Sequence, residues 1–319
     1  MKRLAAMAVF MLIILSVVPL QALGLTLIPG GAVVGLELRG DRVTVAALEE
    51  NSPAKDAGLR EGDCILRIDE LPITCAEDVK TALERSHGSV LLTVRRGGEE
   101  KTIRVVPAIT PDGPKLGAYL KQGITGIGTV TFYDPQTLAF AALGHGVSDP
   151  GGVMAPMREG FVYSARIHSV RRGRVGDPAQ LLGTVTDRTP LGTLEKNTAR
   201  GVFGHLQSVP AAPLMETAEA DRIHTGPATI RSNIRDGHIQ EYSVEILRIY
   251  PTQKENGRNL LLKVTDPALL EATGGIVQGM SGSPIIQDGK LIGAVTHVLV
   301  NDPTTGYGIF IENMLDVAS

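Results

Sequence analysis

Tryptophan is absent from this chain of 319 residues, and aromatic side chains make up only 4% of it. Any core must therefore be mostly aliphatic, and at 43% hydrophobic residues there is enough material to build one. Cysteine is nearly absent as well, with only Cys64 and Cys75. Two thiols make no disulfide framework, and domains of this size need none. Cys64 lies in the apolar run Cys64-Ile65-Leu66-Arg67-Ile68 and Cys75 at a helix start; both read as small buried hydrophobes, with a lone disulfide as the alternative. Neither has a histidine close by in sequence, which argues against a cysteine nucleophile. Excess charge is also lacking: the net charge of −3 gives no reason to expect nucleic acid as a partner. The one basic cluster, Arg171-Arg172-Gly173-Arg174, is too short to act as a tail and reads as a solvated loop. There is no His-Glu-x-x-His and no close His or Cys pair with metal spacing, so neither a metal nor another cofactor is expected.

What the chain does have is 37 glycines, 19 prolines and recurrent short runs of Val, Ile and Thr, the pattern of many short strands with frequent turns. Its length suits two ordinary domains. At the start, Lys2 and Arg3 precede an apolar run from Leu4 to Leu20, and no charge follows until Glu37. This reads as an export segment over residues 1–24, either a signal peptide cleaved near Ala22-Leu23-Gly24 or an uncleaved anchor. Positive-inside logic then puts the rest of the chain across the membrane.

Residues 30–108 read as one unit. Val34 to Leu38 and Val43 to Ala47 look like a pair of short strands. Ser52-Pro53 caps and opens a short helix that Gly58 stops. Cys64 to Ile68 is a strand, and Thr74 with Glu77 forms a capping box for a helix bearing Val79 and Leu83 on one face. Two strands turning at Gly97-Gly98 complete it. This order, centred on Ala57-Gly58-Leu59-Arg60-Glu61-Gly62-Asp63, resembles a PDZ domain, in which a peptide adds as a strand to a sheet edge. The resemblance implies that Val34, Gly35 and Leu36 form the loop edge holding the peptide end, and that Val79 and Leu83 line the helix side. The alternative for Val79 and Leu83 is a plain core role.

Residues 109–319 carry strand-like runs bounded by Gly and Pro, as in a barrel or sandwich. Gly279-Met280-Ser281-Gly282-Ser283-Pro284 suits a nucleophilic serine: a glycine two residues before it lets the N–H groups of Gly279 and Ser281 converge on an oxyanion, and the glycine after it leaves room for substrate. The following strands, Leu291 to Thr296 and Gly306 to Phe310, resemble in order the C-terminal barrel of chymotrypsin-like proteases. A serine needs a base. Of the histidines, His145 stands where the apolar strand Ala141-Ala142-Leu143 ends in a flexible turn, at a barrel rim.

The segment Gly128 to Thr137 leading into Ala142-Leu143-Gly144-His145, with Gly279 to Pro284 and the preceding PDZ-like unit, resembles the stage IV sporulation protein B peptidases of endospore-forming bacteria. The expected fold is mainly β: an N-terminal PDZ domain (30–108), then a chymotrypsin-like double β-barrel (109–319), after a signal or anchor segment. The resemblance implies a serine endopeptidase of the sporulation checkpoint, secreted by the forespore into the space between its two membranes. Its implied protein partners are itself and stage IV sporulation protein FA, a regulatory subunit of a membrane-embedded processing complex whose activation matures a late sigma factor. It also implies a triad of His145 as base, Asp266 as orienting acid and Ser281 as nucleophile. Asp149, four residues from His145, competes with Asp266, which as a strand-end residue before Pro267 is also a good helix N-cap. Self-cleavage is expected in the uncharged segment Leu25 to Val34. The rival reading is a PDZ-based peptide-binding signalling scaffold with a degenerate protease domain.

Overall fold

The computed structural model describes residues 24–148, 152–171, 179–235, 237–252 and 257–318. The expected export segment, Asp149 and most of the Arg171–Arg174 cluster lie outside the described residues. The chain opens with strand β1 (Thr26–Pro29) and a long strand β2 (Val33–Leu48). Helix α1 (Pro53–Asp56), β3 (Cys64–Ile68), helix α2 (Ala76–Arg85) and the hairpin β4 (Val90–Arg96) and β5 (Glu99–Val105) follow. The chain then returns along β6 (Ala118–Tyr133), β7 (Ala139–Ala142), β8 (Glu159–Arg171), β9 (Gln180–Val185), β10 (Gly192–Thr198) and β11 (Gly201–Leu206). The last third holds β12 (Gly226–Ser232), β13 (Gln240–Ile249), β14 (Leu260–Val264), helix α3 (Pro267–Thr273), β15 (Pro284–Gln287), β16 (Lys290–Leu299), β17 (Asp302–Phe310) and helix α4 (Ile311–Ala318). Among the described residues, no helix is long and apolar enough to cross a membrane.

These strands make two barrels and a PDZ unit. In the first barrel β6, β7, β11, β10, β8 and β2 pair in that order, and β2 pairs back onto β6 to close the ring. The second barrel is closed by β12, β13, β14, β17, β16 and β15. The fold is thus mainly β, a PDZ domain with a chymotrypsin-like double barrel. Alternation along the strands separates the cores: Val34, Leu36 and Leu38 point into the first barrel, and Val244, Ile246, Leu260 and Leu262 into the second. At roughly 25 cal/mol per Å² of apolar surface removed from water, such aliphatic layers are the main stabilising term.

The strand pairing does not stop at the expected domain boundary. Val34 to Leu38 and Val43 to Ala47 are one strand, with a register shift between Leu38 and Val43. Its first half pairs with both β8 and β6 in the first barrel; its second half pairs with β3 and with residues 118–122 of β6 in the PDZ sheet. The PDZ unit is therefore inserted between two barrel strands that continue into it. This overturns the expected place of Val34, Gly35 and Leu36. Gly35 faces Tyr163 on one side and Ile127 on the other, so no peptide strand can add there. Val79 and Leu83 are each 4% exposed and pack with Val90 and Leu92, so this helix face is core. The segment expected to be open for self-cleavage is also built in: Ile28 pairs with Tyr133, Thr26 with Glu216, and Leu27 is buried.

Local signals acted as chemistry dictates, with one shift. The Ser52 hydroxyl accepts from the Lys55 N–H at 3.3 Å and caps α1. The N-cap of α2 is Cys75 rather than Thr74, because the Asp78 carboxylate reaches back to the N–H groups of both Thr74 and Cys75. Asp63, the last residue of the PDZ motif, is fully buried and held by a two-pronged pair with Arg96 and by the Arg60 N–H. Burial alone would raise its pKa; these partners hold it below the ordinary carboxylate value. Cys64 and Cys75 are both free and half-buried, so no disulfide forms between them.

Candidate active site

The two barrels face each other across a cleft of about 1040 Å³, and His145, Gly279 and Ser281 all line it. His145 comes from the first barrel, where β7 ends. The chain turns there through Leu143 and Gly144, both at positive φ, and this lifts the imidazole to the rim. Its Nδ1 lies 2.9 Å from the Gly146 carbonyl. A carbonyl only accepts, so Nδ1 carries the hydrogen and Nε2 keeps the lone pair that a general base needs. Burial disfavours the charged ring and lowers its pKa, opposed in part by that hydrogen bond. Asn197 on β10 fixes the following turn: its amide donates to the carbonyls of Val147 and Ala155 and its oxygen accepts from the Val147 N–H.

Ser281 comes from the second barrel, in the loop between α3 and β15, and the first barrel holds that loop. The Thr129 hydroxyl on β6 donates to the Gly279 carbonyl at 2.7 Å, and the Thr131 hydroxyl to the Gly282 carbonyl at 2.9 Å. The Thr129 N–H donates to the Ser281 carbonyl. Both threonines are completely buried. The contact is so close that Gly282, at φ +96°, has no room for a side chain: a Cβ there would sit 1.9 Å from the Thr129 carbonyl oxygen. Gly279 is also at positive φ, at +102°, and lines the cleft with Ser281. Among the described residues the N–H groups of Gly279 and Ser281 donate to no protein acceptor, as an oxyanion hole requires. The Ser281 hydroxyl donates to the Thr296 carbonyl at 2.8 Å. It must leave that acceptor to meet Nε2 of His145, the kind of tightening that substrate brings in many sites.

Asp266 is not in this cleft. It ends β14 and its carboxylate is occupied elsewhere: one oxygen accepts from the N–H groups of Ala268 and Leu269, capping α3, and the other from the Ser243 N–H. Both strand-end roles were legible at Asp266, and the structure puts the carboxylate to the cap. The residue beside His145 is instead His297 on β16, with ring centroids 5.1 Å apart. Burial, helped by the neighbouring His145 and Arg258, pushes its pKa down to about 4. Its Nδ1 is buried and has no hydrogen-bond partner among the described residues. Sequence reasoning had no means to single it out, since His297 lies in an ordinary apolar strand. Thr129 and Thr131 did carry a signal, as polar residues alternating on the inward face of a strand. No group of His, Cys, Asp or Glu among the described residues could hold a metal ion.

A serine hydroxyl, a neutral imidazole with its lone pair free and two backbone N–H groups left without a protein acceptor are the parts of acyl transfer through a covalent intermediate. Residues 44–96 match the pattern of a PDZ domain. Over 86 residues the chain is 37% identical to the putative zinc metalloprotease Atu1380 of Agrobacterium fabrum, and over 57 residues 39% identical to serine protease HTRA1 of Xenopus tropicalis. Those matches cover 27% and 18% of this chain and only 23% and 12% of the two relatives. Among solved structures it is similar to the active form of the Rv3671c protease from M. tuberculosis, with 16% identity, a TM-score of 0.37, and coverage of 61% of this chain and 73% of that one. The pattern described as SpoIVB peptidase S55 matches residues 113–315, a stretch that contains His145, Thr129, Gly279 and Ser281, and the chain belongs to that family.

Proposed function

We propose that this protein is an exported serine endopeptidase of the sporulation checkpoint that cleaves itself and a regulatory subunit of a membrane-embedded processing complex. The observation that carries the chemistry is the single cleft in which His145, presenting Nε2, faces the Ser281 loop with its two open N–H groups. Family membership supports the sporulation setting; export to the space between the forespore membranes belongs to the same proposal and rests on Lys2 and Arg3 ahead of the apolar run Leu4 to Leu20.

The steps follow from the geometry. Substrate enters and the Ser281 hydroxyl turns from the Thr296 carbonyl toward Nε2 of His145. His145 takes the proton as Oγ attacks the scissile carbonyl. The N–H groups of Gly279 and Ser281 receive the oxyanion, in a loop already fixed by Thr129 and Thr131. The Gly146 carbonyl holds Nδ1–H, so the imidazolium forms with its ring orientation kept. His145 then protonates the leaving amine, and water, deprotonated by the same imidazole, releases the acyl group. Asp266 has no part in this sequence beyond capping α3.

Purified protein incubated with its regulatory-subunit substrate, followed by mass analysis of fragments, tests the reading. Ser281→Ala and His145→Ala are each expected to lose cleavage by several orders of magnitude without loss of fold, and the double variant to lose little more. Self-cleavage at the wild-type rate in Ser281→Ala would end the proposal.

A further inference from the structure

The cleft around Ser281 contains no carboxylate, ammonium or guanidinium among its described lining residues; its only titratable side chains are His145 and His297. Burial keeps both imidazoles neutral near pH 7, His297 down to about pH 4. The lining is uncharged but mixed: Thr125, Ser148, Gln180, Gln278 and Thr296 stand among aliphatic side chains. The aliphatic part includes Ile124 and Ile127 of β6, Val277 ahead of the nucleophile and Val298 of β16. At the rim, Leu182 and Val300 are 40% and 43% exposed, so the apolar surface continues outward from the cleft. Ile276, which lines the cleft with Ser281, fills the space against the bare Cα of Gly306: its side chain lies within 2.6 Å of where a Cβ would stand, and it is only 2% exposed.

A charged residue entering this space would leave water and meet no opposite charge among the described lining residues, which disfavours it. A large side chain would meet Ile276. A small aliphatic one would exchange water for the walls at no such cost. We infer that the cleft selects uncharged polypeptide segments with a small aliphatic residue, alanine or valine in size, on the acyl side of the bond cut. This inference rests on the serine-peptidase reading and gives it a substrate class.

The experiment uses the full chain, a neutral phosphonate that labels active serines, and fluorogenic peptides with uncharged flanks differing only in that residue: Ala, Val, Phe, Asp or Lys. Labelling of Ser281 reports on the peptidase reading itself. With labelled enzyme in hand, kcat/KM for Ala and Val is expected to exceed that for Asp and Lys by about a hundredfold or more, and that for Phe by about tenfold. Ile276→Gly should move the preference toward Phe, a gain that a merely structural role for Ile276 does not give. Because Ile276 is in the core, Val300→Asp at the exposed rim serves as a second variant, expected to raise the ratio of Lys-containing to neutral peptides cleaved by about tenfold. Equal or better cleavage after Lys or Asp by labelled wild-type enzyme overturns the substrate class and leaves the peptidase reading intact. Absence of both labelling and cleavage overturns the peptidase reading, and the substrate class with it.

Discussion

The two barrels each give one side chain of the proposed reaction, but they are held in different ways. The second barrel is a closed ring of six strands that supplies Ser281 and shares none of its strands with the PDZ unit. The first barrel supplies His145, and two of its strands, β2 and β6, run on into the PDZ sheet. Yet the nucleophile loop of the second barrel depends on the first, because Thr129 and Thr131 of β6 hold the carbonyls on either side of Ser281. The difference teaches that β6 is the member common to all three parts of the molecule. It lies in the PDZ sheet at Leu120, lines the cleft at Ile124 to Ile127, and anchors the oxyanion loop at Thr129.

The sharpest test of that asymmetry is Thr129→Val. The exchange keeps the shape and removes the hydroxyl, leaving the half-buried Gly279 carbonyl without its side-chain donor, a loss of about 1–3 kcal/mol at most. If the loop relies on the first barrel, kcat falls about ten- to a hundredfold with KM little changed, since about 1.4 kcal/mol corresponds to a factor of ten in rate. Unchanged kcat would show that the second barrel forms the oxyanion hole unaided.

A second test concerns the base. Neutral His145 is the active form, and its buried site disfavours the imidazolium, so its protonation midpoint lies below the ordinary value of 6.5. Activity is therefore present above that lowered midpoint and lost as pH falls through it. The acid limb of kcat/KM should fall below pH 6.5, measured with an uncharged substrate. A limb above 6.5 would mean that an anion reaches Nδ1 in place of the Gly146 carbonyl.

The smallest effect is expected at Asp266. Asparagine caps a helix about as well as aspartate, so Asp266→Asn should retain near-wild-type kcat/KM and melting temperature. Asp266→Ala should lose about 0.5–2 kcal/mol of stability, read as a lower melting temperature, with activity kept at temperatures where it is folded. Loss of several orders of magnitude in kcat for Asp266→Asn would bring this carboxylate to His145 and undo the contrast between a self-sufficient turn after β7 and a merely capped helix after β14.

Much of this was legible in the residues themselves. Alternation of Val, Ile and Leu with polar residues and glycine-bounded runs specify strands locally, so strands of the second barrel were placed to within a few residues, such as Lys290–Leu299 against an expected 291–296. Gly279-Met280-Ser281-Gly282 and the strand ending at His145 carry their conformational demands in the glycines, and the structure brings both to one cleft. The PDZ motif announced itself through the Ser52 cap and through Asp63. What the chain could not disclose is which segments pair over long separations. Val34 to Leu36 has the local pattern of a loop edge or of a barrel strand, and only its pairing with residues 126–128 and 162–164 settles which. Asp266 likewise suits a cap or a triad by local chemistry, and the approach of the Ser243 N–H from β13 decides. His297 beside His145, and the Thr129 hydroxyl beneath Gly279, arise from contacts between barrels. Side-chain period and turn chemistry are local quantities written in the sequence; the partner of each strand edge and the neighbour of each buried polar atom exist only once the barrels have closed and packed.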